Sequence, residues 1–169
     1  MKNRNPLKFL LLSAVFAALT AMGAFLRIPV GHSSFSLQFF FTCMAGLLLG
    51  PYWGAASQLI YVLLGLLGLP VFTEGGGLMY VFKPTFGFLL GLIPAAFVIG
   101  LLGRKKRLPA LLLGLAVLYT VGLPYLHFAL DGAFRPWQTL LYGCLIFLPF
   151  DFLKLLGAGY LSRRLEKHL

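Results

Sequence analysis

Six apolar stretches, each about the length of a bilayer-crossing helix or slightly under it, fill most of this chain and constrain its fold more than any other feature. A membrane-spanning helix needs about 20 predominantly apolar residues. The stretches run from Leu7 to Leu26, Ser34 to Gly50, Ala55 to Leu69, Pro84 to Leu102, Leu108 to Leu130, and between Trp137 and Leu161. The second and third are short, so re-entrant segments stay open for them. "GPYWG" (50–54) reads as a tight turn with interface aromatics, and "PVFTEGGG" (70–77) as a loop. Of the 169 residues, 60% are hydrophobic, and the mean hydropathy is +0.92. A soluble domain is about 45–50% apolar, and this chain has too little polar surface to face water. The reading is an all-α integral membrane protein, one six-helix domain over residues 1–169. Nothing suggests an appended soluble domain or a linker.

The net charge of +10 might be taken for nucleic-acid binding, but its distribution excludes that. Basic residues cluster at Lys2, Arg4 and Lys8, at Arg104–Arg107, and at Arg163, Arg164 and Lys167. Each cluster abuts an apolar stretch, without interleaved aromatics on a basic face. Positively charged loops stay cytoplasmic. Six spans with both termini inside place all three clusters in the cytoplasm, and leave only Arg27, Lys83 and Arg135 among the outer basic residues. "ALTAMGA" (18–24) imitates a secretory cleavage site, but its removal would invert the basic loops, so it reads as a retained first helix. No Walker-type phosphate loop is present. Cys43 and Cys144 read as buried hydrophobes, and His32, His127 and His168 are too scattered for a metal site. No cofactor is expected.

Three constellations stand out. In "LPFDFLK" (148–154), Asp151 and Lys154 lie three apart and so share a helical face. Pro149 can open that helix, which reaches Arg163 over about 21 Å. The pair then sits in the outer half of the membrane. Ionisable groups there cost ~2.5–3.5 kcal/mol each on insertion scales, and their default reading is functional. A mutual ion pair that stiffens the helix is the bland alternative. In the first turn Asp151 can stay ionised and accept two N–H donors from a ligand, while Lys154 offers three donors. The second constellation is the loop with Gly75, Gly76 and Gly77. Glycine permits close backbone approach to a ligand, the flanking Phe72, Tyr80 and Phe82 suit a lid, and Thr85 adds a hydroxyl. Glu74 reads as solvated, and Lys83 as either solvated or ligand-facing. The third is the small-residue stripe of helix one, Ala14 with Ala18 and Ala17 with Ala21, which permits close helix approach inside the bundle or to a partner. Gln38, an amide just inside the second span, needs a partner.

"SLQ…AGLLLGP", "LLGLLGLPVF", the GGG loop followed by "PTFGFLLG", and "FLPFDFLK" occur in an order that resembles the BioY family, the biotin-specific S components of energy-coupling factor transporters. The resemblance spans roughly residues 10–165. It implies a subunit, not an enzyme, that captures biotin from outside. Delivery would use a transmembrane coupling subunit of the EcfT or BioN type and two ABC ATPase subunits of the EcfA or BioM type. It maps the substrate pocket onto Gly75, Gly76, Gly77, Pro84, Thr85, Gly87, Asp151 and Lys154, and the coupling-subunit surface onto Ala14 and Ala18. The chain departs from the family pattern at Lys83, Phe86 and Phe150, where smaller residues are usual. Biotin's ureido ring, with two N–H donors and one carbonyl, suits Asp151 and Lys154. Its bicycle suits aromatic cover, and its valerate suits Lys83 or Lys154. An S component for another vitamin, and an intramembrane enzyme using Asp151, are the alternatives.

Overall fold

The computed structural model describes residues 6–30, 33–103, 106–130 and 135–167. In chain order it holds α1 (Pro6–Phe25), a hairpin of β1 (Arg27–Val30) and β2 (Ser33–Ser36), α2 (Gln38–Leu49), α3 (Pro51–Leu66), a 3-10 turn (Leu78–Phe82), α4 (Phe86–Leu102) and α5 (Arg107–Ala129). A last rod combines α6 (Pro136–Leu140), a π-helical turn (Leu141–Leu145) and α7 (Leu148–Leu165). The expected helical architecture is therefore present, as six rods of which the sixth is in two pieces.

Local chemistry moves several boundaries. The second stretch does not begin as a helix at Ser34. Residues 33–36 pair antiparallel with 27–30, Arg27 opposite Ser36, and α2 starts at Gln38. "GPYWG" is not a five-residue turn. Gly50 alone makes it, with φ of 86°, a value that favours glycine. Pro51 then opens α3, because proline's missing N–H is not needed in a first helical turn. Three helices, Pro6–Phe25, Arg107–Ala129 and Trp137–Leu165, are long and apolar enough to cross a membrane. At 12 residues, α2 is about 18 Å long, shorter than a hydrocarbon core of about 30 Å.

The helices pack with α2 in the middle, against α1, α3, α4 and α7, while α4 and α5 form the most extensive pair. One end of the bundle gathers the Gly50 turn, the α4–α5 connection and the end of α7. A Cβ on Gly100 would sit 2.4 Å from the Gly50 carbonyl carbon, and Arg107 donates to Ser162 (3.3 Å) and pairs with Glu166. The opposite end carries the hairpin, the glycine loop and the start of α6.

The distribution of polarity is inverted relative to a soluble protein. Leu10, Leu11, Val15, Leu101, Leu113, Phe128 and Leu153 are exposed on the outside, whereas Ser13, Thr20, Thr42, Ser57 and Gln58 are fully buried. Gln58 organises the interior. Its Oε1 accepts from Thr42 Oγ1 (2.9 Å) and its Nε2 donates to Ser57 Oγ (2.9 Å), with Thr20 alongside at 3.3 Å. Three helices, α1, α2 and α3, meet at this amide. Hydrogen bonds and close packing hold helices together where hydrophobic burial supplies no drive between them. Among the described residues no buried side-chain polar atom lacks a partner. The chain is a membrane protein.

Candidate functional site

α7 starts at Leu148, with Pro149 in its first turn and Phe147 before it. The Asp151 N–H donates to Phe147 O at 2.9 Å, which seats the carboxylate in that first turn. The helical repeat brings Lys154 Nζ to 2.7 Å from Asp151 Oδ1. The Asp151 side chain is buried and that of Lys154 partly buried, 8% and 12% exposed respectively. The second carboxylate oxygen accepts a hydrogen bond from the Tyr119 hydroxyl on α5. The expected pair is thus formed, with a third member from 32 residues away. A carboxylate offers about four acceptor sites, so Asp151 retains capacity for a ligand's N–H donors. Lys154, spending one donor on Asp151, retains two.

These groups form part of the wall of a cleft with about 660 Å³ of empty space, open mouth included. Its polar wall holds Gln38, Thr85, Tyr119, Asp151 and Lys154, and its apolar wall includes Phe39, Phe88, Leu92, Leu118 and Phe147. Phe88 meets Tyr119 edge to face, ring centres 6.2 Å apart. Ser36, Thr73 and Tyr80 line it as well, from the hairpin, the glycine loop and the 3-10 turn that follows it. The cleft therefore lies toward the end opposite the contact of Arg107 with Ser162 and Glu166. Gln38 finds the partners its burial requires: Nε2 donates to Tyr61 Oη (2.6 Å), and Oε1 accepts from Ser36 Oγ (2.7 Å). Tyr61 passes the chain on to Val71 O at 3.1 Å.

Of the residues singled out in the sequence, Gln38, Tyr80, Thr85, Asp151 and Lys154 converge on this cleft. The others lie around it. Phe72, 1% exposed, packs against Tyr80 with ring centres 4.6 Å apart and planes tilted by 51°, while Tyr80 Oη bonds Thr73 Oγ1 at 2.9 Å. Gly76 and Gly77 border a separate surface depression with Leu66 and Met79. Gly75 closes a tight turn onto Phe72, and the Gly77 N–H donates to Gly65 O at 2.7 Å. The glycines therefore shape the loop rather than line the cleft. A Cβ on Gly87 would sit 2.2 Å from Tyr125 Cβ, so Gly87 serves the α4–α5 contact. Lys83 pairs with Glu74 at 3.0 Å beside Pro84; Glu74 is thus not simply solvated. Phe82 is 75% exposed and does not line the cleft. Phe86 is buried against Tyr125, and Phe150 borders an outer groove, so neither narrows the cleft. On α1, Ala14 and Ala18 are exposed, Ala21 is partly buried, and Ala17 is 3% exposed inside the bundle. The Ala17 half of the stripe is interior packing.

Sequence reasoning missed Tyr119, Thr73 and the Phe88–Phe147 wall. The one available signal for Tyr119 was its phenol beside Thr120 in the middle of an apolar stretch. Cys43 and Cys144 are buried and unpaired, and no cluster of three His, Cys, Asp or Glu side chains occurs among the described residues. His32 and His168 lie outside the described residues, as do Lys2, Arg4, Arg104 and Lys105.

Comparison with known proteins gives a consistent picture. The BioY family model matches residues 1–169. A protein of Lysinibacillus sphaericus named as a probable biotin transporter BioY is 40% identical, covering 99% of this chain and 90% of its own. The biotin transporter BioY of Thermotoga maritima is 37% identical over 94% of this chain and 95% of its own. The crystal structure of the S-component for biotin from an ECF-type ABC transporter superposes with a TM-score of 0.86 at 30% identity, covering 99% of this chain and 95% of that one.

The triad makes a thermodynamic prediction. Removing one partner of a buried ion pair costs about 3–5 kcal/mol, whereas replacing both by apolar groups is often neutral. Thermal unfolding in detergent should show Lys154→Met strongly destabilised, Tyr119→Phe less so, and Asp151→Leu/Lys154→Met recovering much of the loss. A double variant as unstable as the sum of its singles would show that the two side chains do not act as a pair.

Proposed function

The chain belongs to the BioY family, and from that premise we propose that it is a substrate-binding S component for biotin, a single six-helix domain in the cell membrane. The observation that carries the reading is the cleft in which Asp151, Lys154 and Tyr119 meet an aromatic and aliphatic wall. Biotin needs both kinds of surface. Its two ureido N–H groups face Asp151 and its ureido carbonyl faces Lys154. Its fused rings lie against Phe39, Phe88 and Phe147. Tyr80 and Thr85 stand above the rings, and the valerate points to the mouth. Sandwiching the ring system between a fixed polar triad and apolar walls favours biotin over vitamins that lack paired N–H donors beside a carbonyl.

Transport follows from the surroundings of the cleft. The chain has no Walker-type phosphate loop, so uptake against a gradient draws its energy from a transmembrane coupling subunit and two ABC ATPase subunits. The three basic clusters of the sequence, each abutting an apolar stretch, support cytoplasmic termini by the positive-inside rule, and this leaves the cleft mouth outside. Ala14 and Ala18, exposed on α1, offer the smoothest surface for the coupling subunit's helices.

Titration calorimetry against biotin, thiamine and riboflavin tests the substrate. Heat with biotin alone is expected, near one-to-one, and Asp151→Asn should weaken it by about 2–5 kcal/mol. A preference for another vitamin, or no heat at all, rejects the assignment. Orientation is checked by labelling in intact cells: a cysteine at Glu74 should react with impermeant reagent, and one at Lys106 or Lys167 only with permeant reagent. Labelling of position 106 from outside would reverse the topology. For the partner surface, Ala18→Trp should keep biotin binding and lose both co-purification with the coupling subunit and uptake. Wild-type uptake by equally abundant Ala18→Trp would move the docking surface elsewhere.

A further inference from the structure

Three charged side chains from three separate segments meet beside the residues that line the cleft. Glu74, in the glycine loop, lies 3.0 Å from Lys83 Nζ through Oε2 and 4.0 Å from Arg27 Nη1 through Oε1. All three are partly exposed, 47%, 50% and 36% respectively. None lines the cleft itself, and Arg27 borders the outer groove, but each neighbours a cleft residue in strand register or in the chain. Arg27 is the strand partner of Ser36, Glu74 follows Thr73, and Lys83 stands two residues before Thr85; Ser36, Thr73 and Thr85 all line the cleft. The deeper pair, Asp151 with Lys154, neutralises itself. The rim trio does not, because one carboxylate stands between two cations.

We propose that Glu74 is a built-in competitor for the ligand's carboxylate: it occupies Lys83 and Arg27 in the empty protein and gives them up when an anionic ligand enters with its polar head at Asp151. The inference rests on the reading of the cleft as a biotin site, since it requires a ligand with an N–H-bearing head and a carboxylate tail. Half-exposed ion pairs are weak and screened, so exchange of one carboxylate for another at this trio meets little resistance. A two-cation rim also raises the local concentration of anions and speeds their capture. Glu74 lowers that attraction in the empty state and ties the glycine loop to the hairpin until the ligand arrives. The trio thereby selects acids over their neutral amides without a deep positive charge.

The test compares biotin with biotinamide, its uncharged amide, on the full chain in detergent at low and high salt. Glu74→Gln keeps the side chain's shape and frees both cations. It should tighten biotin roughly two- to fivefold, the scale of one exposed ion pair, and leave biotinamide unchanged. The gain should shrink at high salt. Lys83→Gln should weaken biotin and spare the amide. Glu166→Gln removes the same charge at the opposite end, beside Arg107, and should change neither ligand. Unchanged biotin affinity in Glu74→Gln, or an equal gain for acid and amide, overturns the competitor role while leaving the site assignment intact. If the wild-type chain binds neither ligand, the site assignment fails and the competitor role fails with it.

Discussion

The buried contact of Asp151 with Lys154 and Tyr119 is the interaction around which the cleft half of this bundle is arranged. A lone charge in the membrane costs several kcal/mol, and a broken buried pair about 3–5 kcal/mol. Asp151 can be kept there only because Lys154 lies one helical turn further on and a phenol from α5 covers its other oxygen. That requirement fixes α7 against α5 and sets the rotation of α7 about its own axis. The same face then presents unused lone pairs and ammonium hydrogens to the cleft. Structure and proposed recognition thus share one group of atoms. The three groups are held by one another within the protein, and groups already held in place limit the ordering cost of binding.

A second polar centre holds the other half of the molecule. Gln58 joins α1, α2 and α3 through Thr20, Thr42 and Ser57, and Thr42 bonds back to Gln38 O at 2.9 Å. Gln38 in turn meets Tyr61 and Ser36 at the cleft. A continuous set of hydrogen bonds therefore runs from the interior face of α1 to the cleft wall. The exposed face of that same helix carries Ala14 and Ala18. The helix proposed to meet the coupling subunit is thus anchored by the residues that also orient the cleft.

Much of this was legible in the sequence because membrane burial leaves few polar residues, and each one present must have a reason. The spacing of Asp151 and Lys154 put them on one face, and Pro149 placed Asp151 in a first turn; both follow from local helix geometry. The isolated amide of Gln38 announced an unseen partner. What was not legible depends on contacts distant in the chain. Tyr119 reads as an ordinary aromatic of α5 until α7 is packed against it, and Tyr61 reads likewise until α2 is. The three glycines invited a ligand-cradling reading, but Gly76 is required by its own loop, where a Cβ would lie 2.0 Å from Leu69 O. Ala14 and Ala17 look equivalent by composition and separate only when packing buries one of them. The hairpin was hidden because residues 27–36 carry a proline, a glycine and three serines that also suit an irregular loop.

The central claim is that the triad reads the ureido head of biotin while the acid tail points outward. A structure of the chain with biotin bound addresses it most directly. The account predicts the ureido nitrogens within hydrogen-bond distance of Asp151, the ureido oxygen at Lys154, the rings against Phe88 and Phe147, and the carboxylate toward Arg27 and Lys83. Biotin reversed in the cleft, with its carboxylate on Lys154, or seated outside the cleft altogether, would contradict it.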